Sequence, residues 1–486
     1  MSIRRAALWS LASQYASFAI QFVTSIIISR LYLLPADVGL FSIALAAAMM
    51  VSIFQDMGFS RFITGQPQMR MEHIRDYAAV AVGAGVLVMA VLLGAAVPLA
   101  SFYGEPGLSG LMMIIAASFL VQAFSIVPVA LLTRELDFRR LFTVNAGSAL
   151  AGALASIGLA AKGFGPSALA WGMLASALFR VIVALGFRPV LPGVIRRFET
   201  IRPLLGFSSS SFLISLSGSI GQRSQDLIVG RILGTAATGL FTRASALAGQ
   251  MSTLVVGAIN SVFYPAFARK RDAGEPLGEP YLHLIACNTA LNFAAAIGLA
   301  LAAEPLVHLL YGPRWMEVAP LLRWTAIAEV FFVAVPLQMD IPILLGRIRT
   351  LVWINFLDTA LTVALLAIFA RWGLETAAIS RVVVAVLWFA IYITYIKRLL
   401  GLRTRQLADV YLRSAVVGLA AGLPLALAIH FEWFGTIMGF LPLLALSLGG
   451  VASWLLAMII VRHPAREEIR MILDRLAAGL LRRKAA

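Results

Sequence analysis

The chain has 486 residues, 60% of them hydrophobic and 13% charged, and a formal charge of +16. Soluble globular proteins carry roughly 25% charged residues, so that class is excluded. The basic residues form short clusters between apolar runs and no single basic face, which points to membrane loops and away from nucleic acid.

The first apolar run, near 8–29, follows Arg4 and Arg5 as a signal sequence would. It continues without a small-x-small cleavage site and reads as a retained first span. Within it Ser10, Gln14, Ser17, Gln21 and Ser25 recur at helical spacing. Further runs of roughly 18–25 residues, the length that crosses a bilayer, follow near 38–58, 77–100, 108–132, 141–161 and 166–187. Two more lie near 205–233 and 238–267, then 282–303, 320–345, 351–370 and 375–396, and finally 414–431 and 438–461. The expectation is an all-α polytopic membrane protein with about fourteen transmembrane helices.

The stretch from Gly206 to Arg243 is the most informative. Ser208, Ser211, Ser215, Ser219, Gln222 and Asp226 follow one another by three or four and share a helical face. Unpaired polar groups are costly in hydrocarbon, so that face should meet protein or a water-filled cavity. Its end echoes the first span: Ser29-Arg30-Leu31 through Gly39-Leu40-Phe41 resembles Gly230-Arg231-Ile232 through Gly239-Leu240-Phe241. Tyr103-Gly104-Glu105-Pro106 is echoed by Tyr311-Gly312-Pro313, and Lys162-Gly163-Phe164 by Trp372-Gly373-Leu374. Three echoes in one order at a nearly steady offset indicate a duplicated unit. The expected organisation is two pseudo-symmetric six-helix lobes, 1–203 and 204–400, followed by 401–486 with two additional helices and a basic tail.

Alternate loops hold 29 Lys and Arg residues, whereas the opposite loops hold only Arg30, Lys162, Arg314 and Arg371. Basic loops stay cytoplasmic, so both termini are expected inside. From Pro464 onward, Ile469, Ile472, Leu473, Leu476 and Leu480 oppose Arg466, Arg470, Arg475, Arg482 and Arg483. That pattern fits a helix lying on anionic membrane lipid.

No nucleotide loop, nucleophile elbow or catalytic constellation is present, so neither an enzyme nor a cofactor is expected. The histidines (His73, His283, His308, His430, His463) are scattered, and Cys287 is the sole cysteine, so no metal site is expected. What remains are ionisable residues inside apolar runs. Arg180 and Arg381, 201 residues apart, occupy similar places in the two repeats; Arg223, Arg243, Asp226 and Asp358 are the other main candidates. Asp56 and Arg323 lie near span ends and fit an interfacial role as well. Arg223 and Asp226 are one turn apart, so an internal ion pair rivals a ligand role for both. Guanidinium groups match phosphate geometrically, and rows of Ser and Gln suit hydroxyl-rich cargo. Together they indicate a phosphate-linked sugar, with Arg223, Arg381, Arg180, Arg243, Gln21, Gln222, Gln14 and Ser215 as candidate ligands.

Several stretches resemble the Wzx-type polysaccharide-unit flippases of the multidrug/oligosaccharidyl-lipid/polysaccharide exporter superfamily. They include Arg4 through Ser10, the run SRLYLLPADVGLFSIALA, the sequence LASFYGEPGL and the loop from Leu132 to Arg140. The runs QDLIVGRILGTAATGLFTRA and Ser261 through Arg269 belong with them, and the likeness covers about residues 1–400. The resemblance implies two lobes around a cavity open alternately to each side of the bacterial inner membrane. It implies an oligosaccharide on undecaprenyl pyrophosphate as cargo for lipopolysaccharide or exopolysaccharide, with polymer-assembly proteins as possible partners. It also implies ion coupling, for which Asp226 and Asp358 are the candidates. A cation-coupled drug exporter and a lipid II flippase of the same superfamily are the alternatives, the former expected to favour acidic cavity residues.

Overall fold

The computed structural model describes residues 3–56, 62–64, 71–193, 198–433 and 438–468; within helices, the side chains of 3–7, 56, 71–72, 198–217 and 251–262 fall outside that description. Apart from a single turn at Ile53–Asp56, the helices in order are α1 Ile3–Leu31, α2 Pro35–Val51, α3 Met71–Tyr103, α4 Gly107–Arg134, α5 Phe138–Ala161 and α6 Ser167–Phe187. Next come α7 Phe198–Asp272, α8 Gly278–Leu301, α9 Ala303–Tyr311, α10 Val318–Phe332 and α11 Asp340–Leu344. The last four are α12 Ile348–Phe369, α13 Leu374–Leu400, α14 Thr404–His430 and α15 Phe440–Ile460. Among the described residues, eleven helices are long and apolar enough to cross a membrane, and the protein is a multi-pass membrane protein.

Local chemistry accounts for the ends. Pro35 opens α2, where its missing N–H costs nothing, and the Asp37 carboxylate accepts the Leu34 N–H at 3.0 Å. Asp137 caps α5 by accepting the Arg140 N–H at 3.2 Å. Gly401, left-handed at φ 67°, ends α13.

The chain divides into two compact units, Met1–Thr242 and Arg243–Ala486. In the first, α3 packs on α4, α4 on α6, α5 on α6, and α1 on α5. In the second, α8 packs on α10, α10 on α13, and α12 on α13. Three of the helix pairs of the first unit therefore recur in the second. The echoed turns match in detail as well, since Gly104 (φ 70°) pairs with Gly312 (φ 82°) and Gly163 (φ 82°) with Gly373 (φ 123°). The extra helices α14 and α15 pack on each other, and α14 also covers α8.

The first unit contains a reciprocal contact between the echoed segments. A Cβ on Gly39 would lie 1.7 Å from the Thr235 carbonyl oxygen, and a Cβ on Gly239 would lie 1.9 Å from that of Pro35. Each glycine also approaches the other's amide nitrogen, so the two backbones touch around a local two-fold. Lipid tails are as apolar as side chains, so helices in a bilayer associate through such close packing of small residues.

The expected tenth span, 320–345, is not one helix. The chain is helical over α10 and α11 and turns between them, where Pro336 supplies no N–H and Leu337 takes φ 52°. Three of the freed carbonyls are met by side chains: Asn288 Nδ2 donates to Val333, Tyr411 Oη to Ala334 at 2.8 Å, and Tyr281 Oη to Pro336 at 2.8 Å. Residues 333–337 are buried in protein, a setting in which irregular backbone survives at membrane depth. The seventh and eighth expected spans fall on α7, where the side chains of 198–217 and 251–262 are not described.

Candidate functional site

The α5–α6 seam sets up the site. Gly152 and Ser156 on α5 face Gly172 and Ser176 on α6, small residues four apart on each helix. A Cβ on Gly172 would lie 1.8 Å from Ser156 Oγ and 2.9 Å from the Gly152 carbonyl oxygen, so the helices are in backbone contact there. One turn further along the same face of α6 comes Arg180. The close approach gives way at that level to a cavity of about 630 Å³ bounded by α1, α4, α5 and α6.

Its lining is mostly polar. From α1 come Ser10, Ser13, Gln14, Ser17 and Gln21; from α5, Asn145 and Ser148; from α6, Ser176 and Arg180; from the end of α4, Thr133. Among the described residues Arg180 is the sole cation in that lining, and no carboxylate lines it. Among the described residues no carboxylate stands within ion-pair distance of Arg180. Asn145 Nδ2 donates to Ser13 Oγ at 3.2 Å, tying α5 to α1, and the buried Ser17 Oγ has no hydrogen-bond partner. The cavity thus offers one unneutralised guanidinium, two amides and a row of hydroxyls.

The loop from Leu132 to Arg140 frames one end, since Thr133 and Phe138 line the cavity. Glu135 pairs with Arg188 just beyond α6, and Arg140 lies 3.3 Å from Asp137 with its guanidinium 5.4 Å from the Phe187 ring centre. The charges of this loop hold the ends of α4, α5 and α6 together at the mouth.

Of the residues expected from sequence, Gln14, Gln21 and Arg180 meet in this cavity with Ser10 and Ser17. The others lie elsewhere or outside the description. Ser215 is among the undescribed side chains. Gln222 is exposed and Arg223 half-buried on α7, and no ion pair joins Arg223 to Asp226 among the described residues. Asp226 Oδ1 instead accepts from Thr242 Oγ1 at 2.9 Å, across the break in α7 at Gly234 (φ 87°, ψ 179°). In the second unit Arg243 sets its guanidinium 5.9 Å from the centre of the buried Trp315 ring. Arg381 lies 3.5 Å from Glu329 and over Phe332. Arg180 falls past the middle of α6 whereas Arg381 falls in the first third of α13, so their depths are not equivalent. Arg323 pairs with Glu304 at 3.3 Å in an exposed position. Asp358 is half-buried on α12 without a hydrogen bond or ion pair among the described residues, one turn from Asn355, which accepts from Tyr392 Oη at 3.1 Å. The basic tail from residue 469 lies outside the described residues.

Sequence reasoning missed Ser13, Asn145, Ser148, Ser176 and Thr133. Asn145 carried a signal, an amide inside an otherwise apolar run, and Ser176 stands one turn before Arg180 on the same face.

Residues 27–320 match the family described as "Polysaccharide biosynthesis protein". The succinoglycan biosynthesis transport protein ExoT of Rhizobium meliloti is 25% identical over 338 residues, 70% of this chain and 68% of that one. The lipopolysaccharide biosynthesis protein WzxC of Escherichia coli is 22% identical over 295 residues, 59% of this chain and 58% of its own length. Among solved structures, the lipid II flippase MurJ in an inward closed conformation shares the fold with a TM-score of 0.73 at 12% identity, covering 94% of this chain and 99% of that chain. An inward-facing multidrug resistance transporter of the MATE family, in the MOP superfamily, shares it with a TM-score of 0.62 at 18% identity, over 79% of this chain and 95% of its own. With more than half of its length inside the family match, the chain belongs to the polysaccharide biosynthesis protein family.

Proposed function

We propose that the protein is a flippase for lipid-linked oligosaccharides, turning the head group from the inner to the outer leaflet of the bacterial cytoplasmic membrane by alternating access. Both termini lie in the cytoplasm on this reading, as the distribution of Lys and Arg supports. The observation that carries the proposal is the cavity around Arg180. Its hydroxyls and amides match a sugar, and a guanidinium in a low-dielectric setting matches a phosphate or pyrophosphate through paired hydrogen bonds. Its volume falls within the usual range for small-molecule sites, roughly 300–1,000 Å³. The lipid tail would remain in the bilayer, so the cavity need accept only the polar head. ExoT and WzxC, whose names place them in polysaccharide biosynthesis, support the cargo class. A drug exporter of cationic compounds is less well served, because no carboxylate among the described residues lines the cavity. Ion coupling belongs to the proposal too, with Asp358 the better candidate because Asp226 is engaged with Thr242.

The test is polymer export in a host whose own copy is deleted. Arg180→Ala should abolish export at unchanged protein level, and Arg180→Lys should restore part of it, since charge is kept while the fork is lost. Wild-type export by Arg180→Ala would remove the cavity as the head-group site.

A further inference from the structure

We infer that the second unit holds a zinc site built from His283, Cys287 and Glu468. The first two are one turn apart on α8, and both are half-buried. A histidine and a cysteine at that spacing mean little until a third donor arrives, and here it comes from 185 residues away. Glu468 Oε1 lies 2.6 Å from His283 Nε2, and Cys287 Sγ lies 3.7 Å from the same nitrogen. All three donor atoms fall within 4.8 Å of one another. Among the described residues Glu468 Oε2 is buried without a hydrogen-bond partner, an unmet demand at the same spot.

The fold holds the third donor in place. After α15 the chain turns at Arg462 (φ 51°) and buries His463 completely. His463 Nδ1 accepts the Ala465 N–H at 3.2 Å, so Nε2 carries the proton and donates to Ser414 Oγ at 3.0 Å. Ser414 lies 2.7 Å from Thr289 Oγ1 on α8, which donates to the Ile285 carbonyl at 2.7 Å. This chain of hydrogen bonds clamps the segment against α8 five residues before Glu468.

A thiolate, an imidazole and a carboxylate form a donor set that favours zinc over magnesium or calcium. Around a tetrahedral zinc the donors stand about 3.3–3.8 Å apart, from metal–ligand lengths of about 2.0–2.3 Å. The Cys287–His283 edge already has that length, whereas the His283–Glu468 edge must open by about 0.7 Å, a side-chain rotation. On binding, the thiol proton passes to solvent and the sulfur takes the metal as thiolate. The fourth position is left for water. A filled site would pin the start of the basic tail to the helix bundle, a role independent of the cargo.

The experiment uses the full-length protein in detergent, incubated with Co²⁺ or Zn²⁺ alone and then desalted. The wild type should retain about one metal per chain and, with Co²⁺, show a near-ultraviolet sulfur-to-cobalt band that Zn²⁺ abolishes. Cys287→Ser should lose the band, and His283→Gln and Glu468→Gln should each weaken retention at least about tenfold while eluting as the wild type does. A wild type without the band, or with retention equal to that of Cys287→Ser, overturns the site whatever the variants do.

Discussion

Arg180 and Arg381 each sit inside an apolar helix in their own unit, yet their surroundings differ. Arg180 faces a cavity of serines and amides with no carboxylate in the lining among the described residues. Arg381 meets Glu329 at 3.5 Å with both side chains largely buried, 16% and 13% exposed, and the Phe332 ring lies under its guanidinium. A buried charge must be paired or solvated. Arg381 is paired by the protein, whereas Arg180 is left to whatever enters the cavity. The same residue type therefore lines a cavity in one unit and forms an internal tie in the other.

The sharpest way to break this comparison is to truncate both. Arg180→Ala should stop export and leave protein level intact. Arg381→Ala should lower the level itself, because removing one partner of a buried ion pair costs about 3–5 kcal/mol, and Glu329→Gln in the same chain should recover most of it. Equal levels for the two single variants, measured by immunoblot of membranes, would erase the distinction.

A second prediction concerns the seam that opens into the Arg180 cavity. Gly172→Ala should destabilise by about 1–3 kcal/mol, since its Cβ meets the Gly152 backbone as well as Ser156. Gly158→Ala on the same α5, where nothing lies within 4 Å, should be neutral or mildly stabilising. Thermal unfolding in detergent would rank them, and an unaffected Gly172→Ala would mean the helices separate without cost.

The third prediction separates the units by pH. Burial is the main force pushing the His463 imidazole down to about 4, with the Arg413 charge adding to it. The unfolded chain takes up a proton near pH 6.5 and the folded one does not until about 4, so stability present above 6.5 is lost as pH falls toward 4. The clamp on α8 should loosen in that window, and His463→Gln should flatten the loss. Amide exchange resolved by segment is the measurement, with α3–α6 of the first unit as the internal reference.

The smallest effect is expected at the mouth of the cavity. Asp137→Ala removes the α5 cap and should cost about 1 kcal/mol. Glu135→Gln breaks a half-exposed ion pair and should cost less than about 1 kcal/mol. A loss of export well beyond these figures would show that the loop touches cargo.

Much of this was legible in the residues alone, because bilayer thickness and the cost of unpaired polar groups act on any chain. Run length marked the helices, and the spacing of Gln14, Ser17 and Gln21 marked a polar face that had to turn inward. The echo of Gly39 in Gly239 was visible too, although not that the two glycines touch each other. Only tertiary structure decided what each polar group meets. Pro336 lay in plain view, but the helix breaks there at tolerable cost because Tyr281, Asn288 and Tyr411 arrive from other helices to meet the freed carbonyls. Arg180 and Arg381 looked alike because a sequence records a charge and not its neighbours; Glu329 lies 52 residues from Arg381, and all but one of the hydroxyls lining the Arg180 cavity come from three other helices. Periodicity is a property of one element, whereas pairing and cavity depend on distances between elements, and those arise only when the helices pack.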